Sequence, residues 1–142
     1  MTWRKATIED CRLLGLLNHQ LIEDENHRNS MEEPALTERM RGFLSGDYTG
    51  IPFEKAGEVV AYALYHPWET DGIYLRQFFV IRERRRRGIG REAVILLFNE
   101  IFPPEKRIIV TALSRNRRAL AFWAAVGFDE YCVSFERPPR QT

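Results

Sequence analysis

The sequence predicts a single α/β (α+β) domain, residues 1–142, in which helices pack on a mixed β-sheet. Three observations predict this class. The length of 142 residues suits one domain. The balance of 44% apolar and 29% charged residues is that of an ordinary globular protein. Strand-like and helix-like segments alternate, and a strand–helix–strand unit around residues 88–102 predicts a parallel, right-handed crossover.

The chain begins with a short predicted strand, residues 3–7, followed by a helix. Thr7 precedes Glu9 and Asp10, which is the pattern of a helix cap with an acidic first turn. Leucines then recur at helical spacing as far as Ile22. The sequence therefore predicts an amphipathic first helix.

After the first helix the sequence predicts a loop, a second helix and three strands. Residues 23–34 are polar and predict a loop, and residues 37–44 predict a short second helix. Three strands follow, at residues 48–54, 58–66 and 73–81, the last rich in aromatic and β-branched side chains.

The remaining segments complete the predicted sheet. Residues 88–102 are apolar almost all round and predict a mostly buried helix, which Pro103 ends. Residues 107–112 predict a strand, residues 116–126 a helix and residues 131–136 a last strand. The predicted order is β-α-α-β-β-β-α-β-α-β.

Net charge is +1, but the two halves of the chain differ. Residues 1–71 carry 7 basic and 13 acidic side chains, whereas residues 72–142 carry 14 basic and 7 acidic ones. One interpretation is that the second half handles an anion and the first half a cation. The other is that the halves attract each other within the fold.

Other classes are excluded or receive no support. The longest apolar run has eight residues, 119–126, against about 20 for a membrane span, and the N-terminus lacks the apolar region of a signal peptide. Cys11 and Cys132 lie far apart and predict reduced, buried thiols in a cytoplasmic protein. No histidine has the spacing of a zinc site, so no metal is expected.

Residues 82–91 carry the strongest functional signal. They hold six arginines between a predicted strand and a buried helix, with Gly88 and Gly90 where the helix begins. A helix N-terminus offers unpaired N–H groups and a partial positive charge, and glycine lets a ligand approach them. This combination predicts a pyrophosphate site. The alternatives are a solvated charge run and a nucleic-acid surface.

At this point the sequence resembles a known family. The run Arg85-Arg86-Arg87-Gly88-Ile89-Gly90 matches the Arg/Gln-x-x-Gly-x-Gly/Ala motif of the GNAT superfamily of acyl-CoA-dependent N-acetyltransferases. The segment Asn116-x-x-Ala119-x-x-Phe122-Trp123-x-x-x-Gly127-Phe128 resembles its second motif. The resemblance implies a mostly antiparallel sheet with a splay between the fourth and fifth strands, and helices on both faces.

The resemblance also implies how acetyl-CoA is held. The amides from Arg86 to Arg91, with the Arg85 side chain, would cradle the pyrophosphate. Phe79 and Val80 would pair with the pantetheine arm, and Asn116 would lie near the thiol end. The implied cofactor-binding residues are Phe79, Val80, Arg85, Arg86, Arg87, Gly88, Ile89, Gly90, Arg91, Asn116 and Phe122.

Three catalytic candidates follow from the same resemblance. The Val80 amide would polarise the thioester carbonyl. Trp123 occupies the position where the family usually has a tyrosine acid, and an indole N–H is not a practical acid; Tyr131 is a candidate substitute. Tyr74 stands where some members have a glutamate base. Nearby Glu69, Asp71 and His66 are expected mainly at the surface.

Acceptor-binding candidates are polar residues in unusual surroundings. Arg76 and Gln77 interrupt an apolar strand, and strict alternation would send them to opposite faces, with Tyr74, Arg76 and Phe78 sharing one. Arg76 either grips a substrate carboxylate or pairs with an acid of the protein. Glu25 belongs to the acidic stretch between the first two helices, which would attract an amine or simply be a solvated loop.

The sequence therefore predicts an N-acetyltransferase that moves an acetyl group from acetyl-CoA to a primary amine by direct attack in a ternary complex. A small-molecule acceptor is slightly favoured over a peptide, and the protein is expected as a monomer or homodimer without membrane contact. The alternative is a non-catalytic module that binds acyl-CoA or, through its basic patch, nucleic acid.

Overall fold

The computed structural model describes residues 1–140. Its strands and helices are, in chain order, β1 Thr2–Trp3, α1 Cys11–Glu25, α2 Glu33–Ser45, β2 Thr49–Lys55, β3 Glu58–Trp68, β4 Gly72–Val80, α3 Ile89–Leu96, β5 Arg107–Ile109 and α4 Arg117–Ala125. Short 3-10 turns, Ile8–Asp10 and Arg82–Arg84, precede α1 and α3, and a π turn, Leu97–Ile101, follows α3. Within residues 1–140 no helix is long and apolar enough to cross a membrane.

The sheet is mixed and mostly antiparallel, with the strand order β1-β2-β3-β4-β5. Only β4 and β5 run parallel. Their pairing ends at Tyr74 and Ile109, while β4 continues to Val80. The two strands therefore separate, which confirms the predicted splay between the fourth and fifth strands.

Helices cover both faces of the sheet. Leu64 of β3 lies opposite Gln77 of β4, whose amide reaches Asn18 of α1. The next residue of β3, Tyr65, packs edge-on against Phe102, which follows α3. Because neighbouring strand residues point to opposite faces, α1 and α3 lie on opposite sides of the sheet.

A β-bulge changes the faces of β4. Leu64 pairs with Gln77 but Tyr65 pairs with Leu75, so Arg76 is an extra residue on β4. Arg76 contacts Phe43 and Tyr48, on the same side as Asn18 of α1, which Gln77 reaches. The prediction of opposite faces for Arg76 and Gln77 was wrong because it assumed an unbroken alternation.

The bulge also separates Arg76 from Phe78. Phe78 stacks on Phe122 of α4, with ring centroids 5.9 Å apart, whereas Arg76 lies over the Phe43 ring of α2. The prediction that Tyr74, Arg76 and Phe78 share one face was therefore wrong.

Both early helices begin close to the predicted positions. Thr7 and Asp10 form a reciprocal capping box before α1, so the predicted cap is confirmed. The first helix extends to Glu25, where Asn26 ends it in a left-handed conformation with φ of 49°. The second helix starts at Glu33 rather than at residue 37, because Pro34 suits the first turn of a helix.

The C-terminal segment differs from the prediction. Residues 131–136 form no strand, and Tyr131 and Phe135 are 94% and 93% exposed. A strand requires a hydrogen-bonded neighbour, whereas the contact that holds this segment is a side-chain pair between Glu136 and Arg28. Cys132 is consequently exposed, not buried as expected, while Cys11 is buried.

The predicted long helix is also less uniformly buried than its composition indicates. Ile89, Ala93, Val94 and Leu97 are buried, but Ile95 and Phe98 are 49% and 38% exposed. The α-helix proper ends at Leu96 and the π turn completes the segment.

Candidate active site

A cavity of about 480 Å³ opens where β4 and β5 separate. The C-terminal turn of α1 and the second half of β4 form one side of it. The start of α3 and the exposed face of α4 form the other. The splay of the sheet therefore creates this recess, and most of the predicted site residues line it.

The backbone of β4 turns hydrogen-bonding groups towards this cavity. Val80 lies opposite Ala61 of β3, and the next amide, of Ile81, donates to the Val60 carbonyl at 3.0 Å. In an antiparallel ladder this makes Val80 a non-hydrogen-bonded position, so its N–H and C=O point away from β3. With β5 ending earlier, the Val80 N–H faces the cavity without a strand partner.

The same alternation distinguishes Phe78 from Phe79. Phe79 pairs with Tyr62, and its N–H and C=O face β3. The outward backbone groups belong to Phe78 and Val80. The geometry therefore favours Phe78 over the predicted Phe79 as a backbone partner for an extended ligand, while the Phe79 ring lies beneath the Arg85 guanidinium at 5.0 Å.

The turn before α3 leaves a row of amides unpaired. The first backbone hydrogen bond of the helix is donated by Glu92 to the Gly88 carbonyl at 3.0 Å. Among the residues the structure describes, no acceptor is recorded for the amides from Arg86 to Arg91. A helix start usually leaves four N–H groups unpaired, so this turn offers more free donors than an ordinary helix start, and free donors of this kind suit an anion.

The two glycines of this turn have different roles. Gly88 adopts a left-handed conformation with φ of 77°, and a Cβ there would meet nothing within 4 Å. Gly90 packs closely, because a Cβ there would lie 3.1 Å from the Phe122 ring, which would have to shift by a few tenths of an ångström. Gly88 thus shapes the turn that presents the amides, and Gly90 lets α3 approach α4.

Arg85 lines the cavity and is also held by groups of the protein itself. Its Nε donates to the Val80 carbonyl at 3.0 Å, and its Nη2 pairs with Asp24 at the end of α1. Asp24 also accepts from Arg82 at 2.8 Å. Burial alone raises the pKa of Asp24, but the hydrogen bonds from Arg82 and Arg85 outweigh it and keep that pKa below its usual value. These contacts hold β4 against α1, and the pyrophosphate contact of Arg85 stays a prediction.

The basic run is partly neutralised by the first half of the chain. Arg84 pairs with Glu58 at 2.8 Å, as Arg82 and Arg85 do with acids of α1. The charge asymmetry thus serves in part to hold the halves together. Arg86 and Arg91 line the cavity and form no ion pair within residues 1–140. Arg87 does not line it, and Ile89 is 3% exposed, which leaves only its amide available.

The α4 helix contributes the predicted aromatic wall. Asn116 caps it, accepting from the Ala119 amide at 3.2 Å, and lines the cavity. Phe122 and Trp123 also line it, and Trp123 packs against Phe78 and Phe128 at 5.6 and 5.2 Å. Trp123 therefore faces the cavity as expected, and its indole N–H can donate a hydrogen bond but is not a practical acid.

Two tyrosines proposed for proton transfer lie elsewhere. Tyr74 is not a lining residue, and its hydroxyl is hydrogen-bonded to Thr111 at 2.8 Å. Tyr131 belongs to the exposed C-terminal segment. Glu69 and Asp71 pair with Arg107 at the surface, as expected.

At its other end the cavity is lined by charged side chains. Glu25 is partly buried, forms no salt bridge within the described part of the chain, and has a pKa raised by burial. Arg76 and Gln77 also line this end. Gln77 is buried, where it accepts from the Tyr62 hydroxyl at 2.8 Å. All three predicted acceptor-site residues thus line the same cavity.

Two residues of this region were missed. Asp24 was expected only as one of several acids, and Arg39 was not expected at all. Asp24 lies at a helix end and Arg39 in the middle of α2, and no local pattern distinguishes either of them. Asp24 binds Arg82 and Arg85, which lie 58 and 61 positions away in the sequence. Arg39 binds Asn18, which lies 21 positions away. These contacts depend on the tertiary fold.

Comparisons with known proteins agree with this geometry. The model of the acetyltransferase (GNAT) family matches residues 14–128, which is most of the chain. No match is found among curated proteins.

Solved structures share the fold at low sequence identity. A possible acetyltransferase from Clostridium difficile 630 has a TM-score of 0.80 at 17% identity, covering 99% of this chain and 98% of that one. A predicted acetyltransferase from Clostridium acetobutylicum, solved with acetyl-CoA, has a TM-score of 0.72 at 19% identity, covering 96% and 95%. AAC(6')-Iy, solved with a CoA-based bisubstrate analog, has a TM-score of 0.73 at 16% identity, covering 98% of each chain.

Proposed function

This chain belongs to the GNAT acetyltransferase family, and on that premise we propose that it transfers the acetyl group of acetyl-CoA to the primary amine of a small molecule. The amine attacks directly while both substrates are bound. The observation that carries the proposal is the row of unpaired amides from Arg86 to Arg91, beside a strand whose Val80 N–H faces the same cavity.

The amides before α3 bind the pyrophosphate of acetyl-CoA. They supply directed N–H donors, the helix adds its partial positive charge, and Arg86 and Arg91 add full charges. Three of the six arginines of residues 82–91 are already paired with carboxylates. The free charge is therefore concentrated at the turn, which suits a compact diphosphate better than a nucleic-acid backbone.

The outward groups of β4 guide the pantetheine arm and polarise the thioester. The arm runs beside Phe78 and Val80 in place of the missing strand neighbour. The Val80 N–H donates to the thioester carbonyl oxygen, which gains negative charge as the amine nitrogen attacks the carbonyl carbon. Arg85 donates to the Val80 carbonyl and so restrains the backbone on the C-terminal side of the residue whose N–H faces the cavity.

Glu25 receives the proton that the amine must lose. An ammonium group has a pKa of about 10.4 and cannot attack until it is deprotonated. The Glu25 carboxylate lines the cavity, and burial raises its pKa, which makes it a stronger base than an exposed glutamate. Glu25 thus binds the amine and then accepts its proton. No sequence feature singled it out for the second role.

The leaving thiolate needs little help from an acid. As the C–S bond breaks, sulfur takes the electron pair, and a thiol of pKa about 8.5 is a fair leaving group near neutral pH. The nitrogen loses two protons in all, one to Glu25 before attack and one as the amide forms. The thiolate takes up one of them through solvent, and the other is released to solvent. Trp123 lines the cavity but does not act as the acid that protonates the thiolate.

Direct transfer is favoured over an acyl-enzyme. Cys11 is buried and Cys132 lies outside the cavity. The lining side chains among residues 1–140 include no cysteine or serine. The neighbours solved with acetyl-CoA or a bisubstrate analog support a site that holds donor and acceptor together.

The experiment is a thiol-release assay with acetyl-CoA and a panel of primary amines, with the acetylated product identified by mass. We expect release that requires both substrates, and initial-rate lines that intersect. Parallel lines would indicate an acyl-enzyme and contradict direct attack. Binding of acetyl-CoA without thiol release for any amine would refute the proposed function.

A further inference from the structure

Two arginine side chains share one aromatic ring, and one of them, Arg76, lines the cavity. The guanidinium carbons of Arg39 and Arg76 lie 5.4 and 5.0 Å from the centre of the Phe43 ring. Burial, with the nearby charge of Arg76, lowers the pKa of Arg39. Neither arginine has a carboxylate within salt-bridge distance in the described part of the protein. Two like charges are thus held together without an anion.

Arg39 has fewer hydrogen-bond acceptors than its position requires. Its Nη2 donates to the Asn18 side chain at 3.0 Å, while its Nε is buried without a partner among the described residues. A partly buried cation that lacks a counter-charge is costly. The region is therefore more favourable with an anion beside it.

Arg76 is the member of the pair that a ligand can reach. It is exposed, it lines the cavity, and its recorded hydrogen bond is from Nη1 to the Tyr48 hydroxyl at 3.1 Å. The bulge in β4 directs it to this side of the sheet. Arg82 and Arg85 near the donor end, by contrast, are bound to Asp24. Most of the N–H donors of the Arg76 guanidinium are therefore available, and their planar arrangement suits a carboxylate.

The opposite charge is present in the same cavity. Glu25 lines it with Arg76, and no side chain of residues 1–140 forms a salt bridge with that carboxylate. A zwitterion, with an amine towards Glu25 and an anion towards Arg76, would complement both charges. A polycationic acceptor would instead place positive groups against Arg76 and Arg39.

We propose that the acceptor is a small amino acid, whose carboxylate is bound by Arg76 with Arg39 adding a second positive charge behind it. This inference rests on the proposed function, and it specifies the substrate class of the same site. Arg76 is thereby a specificity-determining residue, and its loss should affect KM more than kcat.

The test compares acceptors that differ only at the carboxylate: an amino acid, its carboxamide, the corresponding decarboxylated amine, and an amine that carries a phosphate. For the wild type we expect kcat/KM to favour the amino acid by roughly 10- to 100-fold, the effect of one charge-assisted contact. Arg76→Gln should remove this preference by raising KM for the amino acid, and Arg76→Lys should retain part of it.

Arg12→Gln is the matched control. It removes the same charge from an exposed position of α1 outside the cavity, and it should leave the preference unchanged. Equal use of all four acceptors by the wild type, or an unchanged preference in Arg76→Gln, would overturn the inference while leaving acetyl transfer intact. A preference for the phosphate would refute a carboxylate ligand.

A binding measurement separates the inference from the proposed function. The amino acid is titrated into protein saturated with CoA, in the wild type and in Arg76→Gln. Binding that requires Arg76 supports the carboxylate site even if no amine releases thiol, an outcome that would refute the proposed function alone. Equal binding by both proteins, or no binding by either, would overturn the inference.

Discussion

The two ends of the cavity are built in different ways. The donor end consists of main-chain groups: the amides before α3 and the outward N–H of Val80. The acceptor end consists of side chains, chiefly Glu25 and Arg76, from helices and strands far apart in sequence. Asp24 joins the ends by pairing with Arg85, which in turn holds the Val80 carbonyl.

This difference indicates what each end recognises. Main-chain amides offer the same donors whatever the side chains, so the donor end suits a substrate that does not vary. The acceptor end changes with each substitution and suits a substrate specific to this protein. Single substitutions can therefore test each end separately.

The largest effect on the donor end is expected from Val80→Pro. Proline removes the N–H that we propose polarises the thioester carbonyl, and Val80 gives no ladder hydrogen bond to β3 that would be lost. We expect kcat to fall roughly 10²- to 10³-fold, with acetyl-CoA affinity nearly unchanged. Steady-state kinetics and calorimetry measure the two effects.

Val80→Ala, which keeps the N–H, is the control and should retain most of the activity. A Val80→Pro enzyme with wild-type kcat would exclude the amide from carbonyl polarisation.

At the acceptor end the corresponding substitution is Glu25→Gln. Loss of the base should lower kcat roughly 10²-fold. Because burial raises the pKa of Glu25, the wild-type rate should rise with pH through a pKa above the usual glutamate value, and this limb should disappear in the variant. Glu33→Gln removes an exposed carboxylate of the same acidic stretch and should change little. If the rate of Glu25→Gln still rises with pH through the same range, a group other than Glu25 is responsible for that rise.

The link between the ends is tested by Asp24→Asn. We expect the free energy of unfolding to fall by about 1–2 kcal/mol at pH 7, because two arginines lose a charged partner. Since the folded pKa of Asp24 lies below its unfolded value, this contribution is present in full above about pH 4 and is lost as the pH falls through the folded pKa.

Denaturant unfolding at pH 7 and at pH 3 measures this difference. Glu69→Gln, which breaks an exposed pair with Arg107, should cost less than about 1 kcal/mol. An Asp24→Asn variant as stable as the wild type at pH 7 would show that the pairs contribute no net stability.

The smallest effect is expected at Trp123, between the two ends. Trp123→Tyr supplies the acid that the family usually has, and because the thiolate leaves readily we expect kcat to rise less than about tenfold at pH 7. Trp123→Phe removes the indole N–H and should lower kcat only a few-fold. A 100-fold loss in Trp123→Phe would mean that the indole donates a required hydrogen bond.

The donor end could be predicted from the sequence because its signal is local. Glycines at fixed spacing before an apolar helix determine the turn and its free amides, and Thr7 with Asp10 determines the first helix start in the same way. The roles assigned to these amides remain predictions.

The acceptor end could be predicted only as a set of polar residues. The bulge that moves Arg76 to the side of Gln77 depends on the register between β3 and β4. The ion pair between Arg85 and Asp24 depends on where α1 ends. Strand patterning at residues 131–136 likewise does not specify a pairing partner, and the segment is exposed.

The central claim is that the main-chain amides around Gly88 bind the pyrophosphate, and two variants of that glycine test it most directly. Asparagine and aspartate both tolerate the left-handed φ of 77° and have similar size, but only aspartate adds a negative charge. Calorimetric titration with acetyl-CoA should give Gly88→Asn an affinity within about tenfold of the wild type, and Gly88→Asp a loss of roughly 100-fold or more, with similar melting temperatures. Equal affinities for the two variants would contradict the claim.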